Sequence, residues 1–119
     1  MAALTGTGFH AAICYSGYRE GQSPRAGVYP SYEQIKEDLG LVRRRWKVIR
    51  IYDCSPHGLT TLEVVRREYP DMRVLIGVDL DREFNNPGCP WGSPITEAEL
   101  EANRHRNDSN IHQAAEIAR

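Results

Sequence analysis

The sequence predicts an α/β fold in which three strands and three helices alternate in βαβαβα order. Three short apolar segments predict the strands, and a segment with helical spacing or a capping-box pattern follows each one. Repeated βα units imply a parallel sheet with right-handed crossovers. By count, three such units are three-eighths of a TIM (β/α)8 barrel. We therefore predict a single domain over residues 1–119 that is an incomplete TIM-barrel segment.

The first βα unit begins with a predicted strand at Gly8–Cys14. The segment Tyr15–Pro30 is dense in glycine and proline and predicts a long loop, and long loops in compact domains are often functional. Ser31 and Gln34 form a capping-box pattern that predicts the start of the first helix. Apolar residues at helical spacing predict its buried stripe: Ile35, Leu39, Val42 and Trp46.

The second unit centres on Val48–Cys54, a short apolar run rich in β-branched residues. Such a run is typical of a strand buried on both faces. Ser55–Gly58 predicts a tight loop, and either Thr60 or Thr61 is suited to cap a helix that ends at Pro70.

The third unit begins with a predicted strand at Arg73–Leu80 and continues into a second long loop at Asp81–Pro94. Thr96 with Glu99 is another capping box, which predicts a long helix from Thr96 to the end of the chain. The middle of that helix, residues 103–110, is so polar that a kink or break is expected there.

Composition narrows the possible partners and compartments. The chain is 40% hydrophobic and 26% charged with a formal net charge of −1, which favours neither nucleic acid nor an anionic membrane as a partner. The longest apolar run, Val74–Val78, is far too short to span a bilayer, and the N-terminus lacks the pattern of a signal peptide. Three unclustered cysteines do not suggest a disulfide framework, so we expect either a reducing, cytoplasmic location or a piece of a longer protein. No cofactor is predicted.

Polar and aromatic side chains follow the predicted strands, and the loops at the carboxyl ends of parallel strands meet on one face. Aromatic rings mixed with carboxylates, amides and guanidinium groups suit sugar recognition, because a ring covers the apolar face of a pyranose and planar polar groups bind its hydroxyls. The residues expected on that face are Cys14, Tyr15, Tyr18, Arg19, Arg50, Tyr52, Asp53, Cys54, Asp79, Asp81, Glu83, Asn85, Asn86 and Trp91.

Other chemistries have weaker support. Asp79 and Asp81 follow an apolar strand, as in the haloacid-dehalogenase phosphotransferases, but Glu83 replaces the Thr or Val of that motif. The histidines show no triad spacing. Arg50, inside a strand predicted to be buried, is suited equally to ligand binding and to a structural pair with Asp53, Asp79 or Glu83.

A metal site and a phosphate loop are also poorly supported. The three cysteines and His57 have no C-x2-C spacing, so no zinc site is predicted, and Cys14 and Cys54 are better interpreted as small buried hydrophobic residues. The Gly6–Gly8 segment precedes a strand and lacks the ending of a phosphate-binding loop.

Several long motifs resemble bacterial members of glycoside hydrolase family 17, the β-1,3-glucanase type. They are ICYSGYREGQSP, YPSYEQIKEDL, IRIYDC, NNPGCPWG and ELEANRHRND, in the family's order and spacing from about Gly8 to Arg119. The resemblance implies a (β/α)8 barrel and retaining hydrolysis by two glutamates. The chain has no Asn-Glu pair and stops before a fourth strand. No catalytic residue can therefore be carried over, and we expect a fragment that is inactive alone.

The resemblance also implies residues that contact a β-1,3-gluco-oligosaccharide. The expected glucan-binding residues are Tyr15, Tyr18, Arg19, Arg50, Tyr52 and Asp53, with Glu83, Asn86 and Trp91 as further candidates.

An incomplete barrel has open strand edges and an uncovered inner sheet face, both of which favour association. We therefore predict a homodimer or higher oligomer formed through those surfaces. Three functions remain open: a non-catalytic part of a family 17-like hydrolase, a carbohydrate-binding module, or a self-assembling structural module.

Overall fold

The computed structural model describes residues 10–119. They form two compact units, of which the first ends at Gly77 and the second is Val78–Arg119. The first two residues of the strand predicted at Gly8–Cys14 lie outside the described residues, and the Gly6–Gly8 segment lies wholly outside them. The prediction of a single domain over residues 1–119 stays a prediction.

The first unit contains a three-stranded parallel sheet in the order β1-β2-β3. The strands β1, β2 and β3 are Ala12–Cys14, Val48–Ile51 and Arg73–Ile76. Helices α1 and α2 in this unit are Tyr32–Val42 and Pro56–Glu68, and α3 in the second unit is Glu97–Ile117. The predicted α/β class and the alternating βα order are thus confirmed.

Helix α1 begins where its capping box predicts. The Ser31 hydroxyl accepts a hydrogen bond from the Gln34 amide, and the Gln34 side chain accepts one from the Ser31 amide. Two of the unpaired donors at the helix start are satisfied in this way. The helix ends at Val42, so Trp46 lies beyond the stripe that was predicted to include it.

The core of the first unit lies on one face of the sheet. Ile49 and Ile51 alternate along β2 and therefore point to the same side. They form one cluster with residues of both helices. Its fully buried members from the helices are Ile35, Leu39 and Val64. Apolar burial on this single face fixes α1 and α2 against the sheet.

The other face of the sheet is exposed along one register row, so the prediction that β2 is buried on both faces holds at Val48, which is buried, and is wrong at Arg50. Cys14, Arg50 and Leu75 are neighbours in register across the three strands, and all three are exposed. This group is called the open-face row below. An exposed Arg50 needs no buried partner, since water solvates the guanidinium group.

Strand β2 is also shorter than predicted, because it ends at Ile51 instead of Cys54. The next residues turn into helix α2: the Asp53 carboxylate accepts a hydrogen bond from the Ser55 amide at 3.0 Å. An Asp side chain that bonds the backbone two residues on stabilises a turn in place of a strand.

The residue that caps helix α2 lies five positions before Thr60, the earlier of the two predicted caps. Ser55 is the residue that precedes the helix, and Pro56 stands in its first turn. The predicted tight loop at Ser55–Gly58 is therefore wrong, as is the capping role of Thr60 or Thr61, whose hydroxyls donate to carbonyls one helical turn back. Proline is well suited to a first turn because the amide hydrogen that it lacks would be unpaired there.

Strand β3 ends at Ile76, four residues before the predicted end at Leu80. The Gly77 amide still donates to the Ile51 carbonyl at 2.9 Å, and the Tyr52 carbonyl lies where a side chain at Gly77 would begin. The close approach of two backbones at this point requires glycine.

The second unit consists of a segment at residues 78–96 and the helix α3. The capping box of Thr96 and Glu99 is confirmed. The predicted kink is wrong, because the helix is continuous from Glu97 to Ile117. Asn103 and Asn107, which motivated that prediction, are buried against the preceding segment and accept or donate hydrogen bonds there.

Among residues 10–119, no helix has the length and the apolar character needed to cross a membrane.

Candidate functional site

The first unit has a cleft of about 190 Å³ at the ends of β1 and β2 and at the start of α2. It is called the strand-end cleft. Its position agrees with the expectation that side chains following parallel strands meet on one side. It is lined by Tyr15, Ser16, Tyr18, Pro24, Ile51, Tyr52, Asp53, Ser55, His57 and Gly58.

His57 is the buried polar residue of the cleft. Its Nε2 accepts a hydrogen bond from the Gly17 amide at 2.9 Å, so this nitrogen carries no proton. The Thr61 hydroxyl donates to the His57 carbonyl at 2.8 Å and lies 3.4 Å from Nδ1, which assigns the ring proton to Nδ1. Burial lowers the pKa of His57, although Asp53 and Asp38 oppose the shift. The ring is therefore neutral at physiological pH.

Aromatic rings from the loop after β1 surround His57. The Tyr18 ring stacks on it with centroids 4.9 Å apart, and the Tyr15 ring is tilted against it at 5.5 Å. Tyr29 packs in turn against Tyr18 at 6.3 Å. Burial, followed by the charge of Asp53, raises the pKa of the Tyr18 hydroxyl. The Tyr18 ring is thus held in a defined position on one wall of the cleft.

Two other predicted residues of this loop bind helix α1 through their side chains. Tyr15 is buried, and its hydroxyl donates to the Asp38 carboxylate of α1 at 3.0 Å. Arg19 binds the same carboxylate at 2.8 Å and Glu37 at 3.1 Å. Burial and the Asp38 charge raise the pKa of Tyr15. The contacts of both residues anchor the loop to α1.

Asp53 and Gly58 shape the opposite wall. The Asp53 carboxylate organises the turn into α2, and the Asp53 carbonyl lies against Gly58, where a methyl group would collide with it. The thiol of Cys54 is partly buried beside them, and burial followed by the Asp53 charge raises its pKa.

Tyr52 connects the cleft to the open-face row. Its side chain is half exposed, and the Arg50 guanidinium carbon lies 5.2 Å from the centre of its ring. This geometry is that of a cation–π contact. The Cys14 side chain raises the pKa of the Tyr52 hydroxyl, and the Arg50 charge opposes that shift. Tyr52 thus presents an aromatic surface whose orientation is set by two neighbours in the sheet.

The remaining predicted residues lie in the second unit. The Glu83 carboxylate accepts from the Asn107 amide at 2.8 Å, and the Asn86 side chain accepts from the Gly88 amide at 3.0 Å. Trp91 is 89% exposed. A separate pocket of about 290 Å³ is lined by Arg82, Asn85, Asn86, Pro87, Gly92 and Pro94.

The weaker alternatives find no geometric support in the described residues. Within residues 10–119, no group of three or more histidine, cysteine or acidic side chains is arranged to hold a metal ion. Cys14, Cys54 and Cys89 are free thiols, and Cys14 is exposed instead of buried as predicted. Asp81, from the motif shared with phosphotransferases, pairs with Arg106 at 3.0 Å.

Of the nine predicted binding residues, four line the strand-end cleft: Tyr15, Tyr18, Tyr52 and Asp53. Sequence reasoning missed His57, which joins the loop to α2. A signal for it existed, because a serine followed by proline is a common helix start and places His57 in the first turn of α2.

Comparisons of the chain with protein-family models, with curated proteins and with solved structures find no match.

Proposed function

We propose that this chain forms the first part of a glycoside hydrolase family 17-like barrel and binds a β-1,3-gluco-oligosaccharide in the strand-end cleft without supplying a catalytic glutamate. The observation that carries the proposal is the meeting of Tyr18, Tyr52 and Asp53 at one cleft. The Tyr18 ring from the loop after β1, with the Tyr52 ring and the Asp53 carboxylate that follow β2, offers both an apolar surface and hydrogen-bond acceptors, which is the combination that a pyranose needs.

The arrangement of the sheet supports the barrel part of the proposal. The helices α1 and α2 share one hydrophobic core on one face of the sheet. In a (β/α)8 barrel the helices cover the outer face and side chains fill the interior. The open-face row of Cys14, Arg50 and Leu75 corresponds to that interior.

The test is a titration of the chain with laminarihexaose by calorimetry and by NMR, with cellohexaose as the β-1,4-linked control. We expect saturable binding of laminarihexaose that shifts the signals of Tyr18, Tyr52 and Asp53. Cellohexaose should bind at least about tenfold more weakly, a difference of about 1.4 kcal/mol.

A pair of variants locates the binding. Tyr52→Ala should weaken laminarihexaose binding about tenfold or more, because it removes one aromatic wall. Leu41→Ala removes a comparably exposed apolar side chain from α1 and should leave binding unchanged. Equal affinity of Tyr52→Ala and the unaltered chain would refute the proposed site. No hydrolysis of the oligosaccharide is expected from the chain alone.

A self-assembling structural module is the second candidate. The exposed open-face row favours it, since an uncovered sheet face is a common interaction surface. Under this candidate Arg50 and Tyr52 contact another copy of the chain instead of sugar. The two candidates differ in the titration, because only the first requires laminarihexaose to shift the cleft signals.

A further inference from the structure

The segment at residues 16–18 forms one side of the strand-end cleft and is held between two anchors. On one side the Tyr15 amide donates to the Arg50 carbonyl at 2.9 Å. On the other side Arg19 is ion-paired with Asp38 of α1 at 2.8 Å. Between these anchors, the Gly17 amide is bonded to the His57 ring. Tyr18 also stacks on that ring.

The bond between Gly17 and His57 requires an unprotonated ring nitrogen. The Gly17 amide is a donor, and Nε2 can accept from it only while it keeps its lone pair. After protonation both ring nitrogens are donors, so the Gly17 amide and the ring would face each other hydrogen to hydrogen. A buried amide would then lose its partner, which is unfavourable.

We propose that the neutral His57 ring is a latch that holds residues 16–18 against α2, and that protonation of the ring releases this segment and disrupts the Tyr18 wall of the cleft. The consequence for sugar affinity rests on the proposed function, whereas the release itself does not. His57 is a positioning residue in this scheme, because it acts through Gly17 and Tyr18.

The charged and titratable groups around His57 come from each element that packs on it. They are Asp53 after β2, Asp38 on α1, and Tyr15 and Tyr18 on the loop after β1. The two carboxylates favour the charged ring. Burial of 95% of the residue surface and the start of α2, where the helix dipole is positive, favour the neutral ring.

Together these effects favour the neutral form of the ring, because the pKa of His57 is lowered overall. The latch is therefore closed at neutral pH and opens on acidification below the ordinary histidine range. Because the Tyr15 and Arg19 anchors do not depend on the ring, the opening should be confined to residues 16–18.

The latch is tested by NMR on the chain without sugar, from about pH 8, above the ordinary histidine pKa, down to the pH at which the His57 ring signals have titrated. The His57 ring signals give its titration, and hydrogen exchange gives the protection of the Gly17 and Tyr15 amides. We expect Gly17 to lose at least about tenfold in protection as His57 titrates, while Tyr15 keeps its protection. Gly17 protection that survives the titration of His57 would overturn the latch.

Two variants complete the test. His57→Gln supplies a neutral amide oxygen that can accept from Gly17 and does not titrate, so Gly17 should stay protected at the pH where the unaltered chain has lost this protection. His112→Gln removes an exposed histidine from the second unit and should behave as the unaltered chain. Loss of Gly17 protection in His57→Gln at the same pH as in the unaltered chain would also overturn the proposal. If His57→Gln does not fold, the contrast between Gly17 and Tyr15 in the unaltered chain decides the question.

Laminarihexaose titrations at about pH 8, above the ordinary histidine pKa, and at the lower pH where the NMR signals show a protonated His57 ring separate the two proposals. Binding that falls together with Gly17 protection supports both. Unchanged binding with a protected Gly17 overturns the latch and leaves the proposed function standing. An unprotected Gly17 at low pH, with no binding at either pH, supports the latch and overturns the proposed function.

Discussion

Asn107 of α3 pairs with both backbone polar groups of Asp81. Its side-chain oxygen accepts from the Asp81 amide and its side-chain nitrogen donates to the Asp81 carbonyl, each at 2.8 Å. Asn103 and Asn110 make similar bonds to the carbonyls of Arg82 and Asp79. Asparagines spaced three and four residues apart share one face of a helix. This face therefore binds the backbone of the preceding segment through amides, where apolar contacts would be usual.

Asn107→Ala should destabilise the second unit by about 1–3 kcal/mol, because it leaves partly buried backbone groups of Asp81 without partners. Ser109→Ala, an exposed change on the same helix, is the matched control. Urea unfolding gives the free energy, and hydrogen exchange of the Asp81 amide should accelerate in Asn107→Ala alone. Equal stability and equal Asp81 exchange in the two variants would contradict the role of Asn107.

Gly58→Ala should destabilise the first unit by about 1–3 kcal/mol, the usual range for an overpacked site. The added methyl group would overlap the Asp53 carbonyl, which belongs to the backbone and cannot rotate away. Leu59→Ala removes a partly exposed side chain at the adjacent position and should have a smaller effect. Thermal and urea unfolding of both variants provide the comparison, and a Gly58→Ala chain as stable as the parent would show that the turn can relax.

The carboxylate of Asp71 should titrate with a pKa of about 2. Lys47 lies 2.7 Å from it and Arg43 3.1 Å from it, and hydrogen bonds from these two cations stabilise the charged form. Carbon-13 NMR of the carboxyl group measures the value directly. Arg43→Gln should raise the pKa of Asp71, whereas Arg44→Gln should leave it near its starting value.

The sign of the pH effect of Asp71 follows from the lowered pKa. The unfolded chain binds a proton at a higher pH than the folded chain does, so the contribution to stability is present above about pH 4 and is lost as the pH falls towards 2. Because the group is exposed, salt should weaken the contribution. An Asp71 carboxyl group that titrates at the ordinary value in low salt would refute the assignment.

Self-association through the open-face row is the fourth prediction. We expect the chain to form dimers or larger species at micromolar concentration, and Leu75→Asp to shift them towards monomer, because a carboxylate disfavours burial in an interface. Leu41→Asp places the same charge at an exposed apolar position on α1 and should not change the assembly state. Sedimentation velocity measures all three chains. A well-folded monomer of the unaltered chain at these concentrations would refute the prediction.

Elements with local causes were predicted well from the sequence. The capping boxes at Ser31 and Thr96 lie where the sequence places them, because each depends on residues only three positions apart. The ends of β2 and β3 were placed too late. The sequence beyond each strand still contains apolar residues, which extended the predicted strands. In the structure, the turn at Asp53 ends β2 and the close backbone contact at Gly77 ends β3.

The residues of the candidate site also divide into those that a local pattern predicts and those whose role depends on a distant partner. Tyr18, Tyr52 and Asp53 were predicted to meet, since residues that follow parallel strands converge. The anchoring roles of Tyr15 and Arg19 depend on Asp38, about twenty residues away in the chain. No local pattern predicts which carboxylate a given arginine or tyrosine will bind.

By itself the sequence determined the order of strands and helices, the starts of α1 and α3, and the group of aromatic and acidic residues at the strand ends. Only the tertiary structure decided that Arg50 is exposed, that the asparagines of α3 bind backbone, and that His57 holds Gly17. The physical reason is that helix caps and apolar periodicity act within a few residues. A buried polar group, in contrast, takes its role from the partner that folding brings to it, 40 positions away in the case of Gly17 and His57.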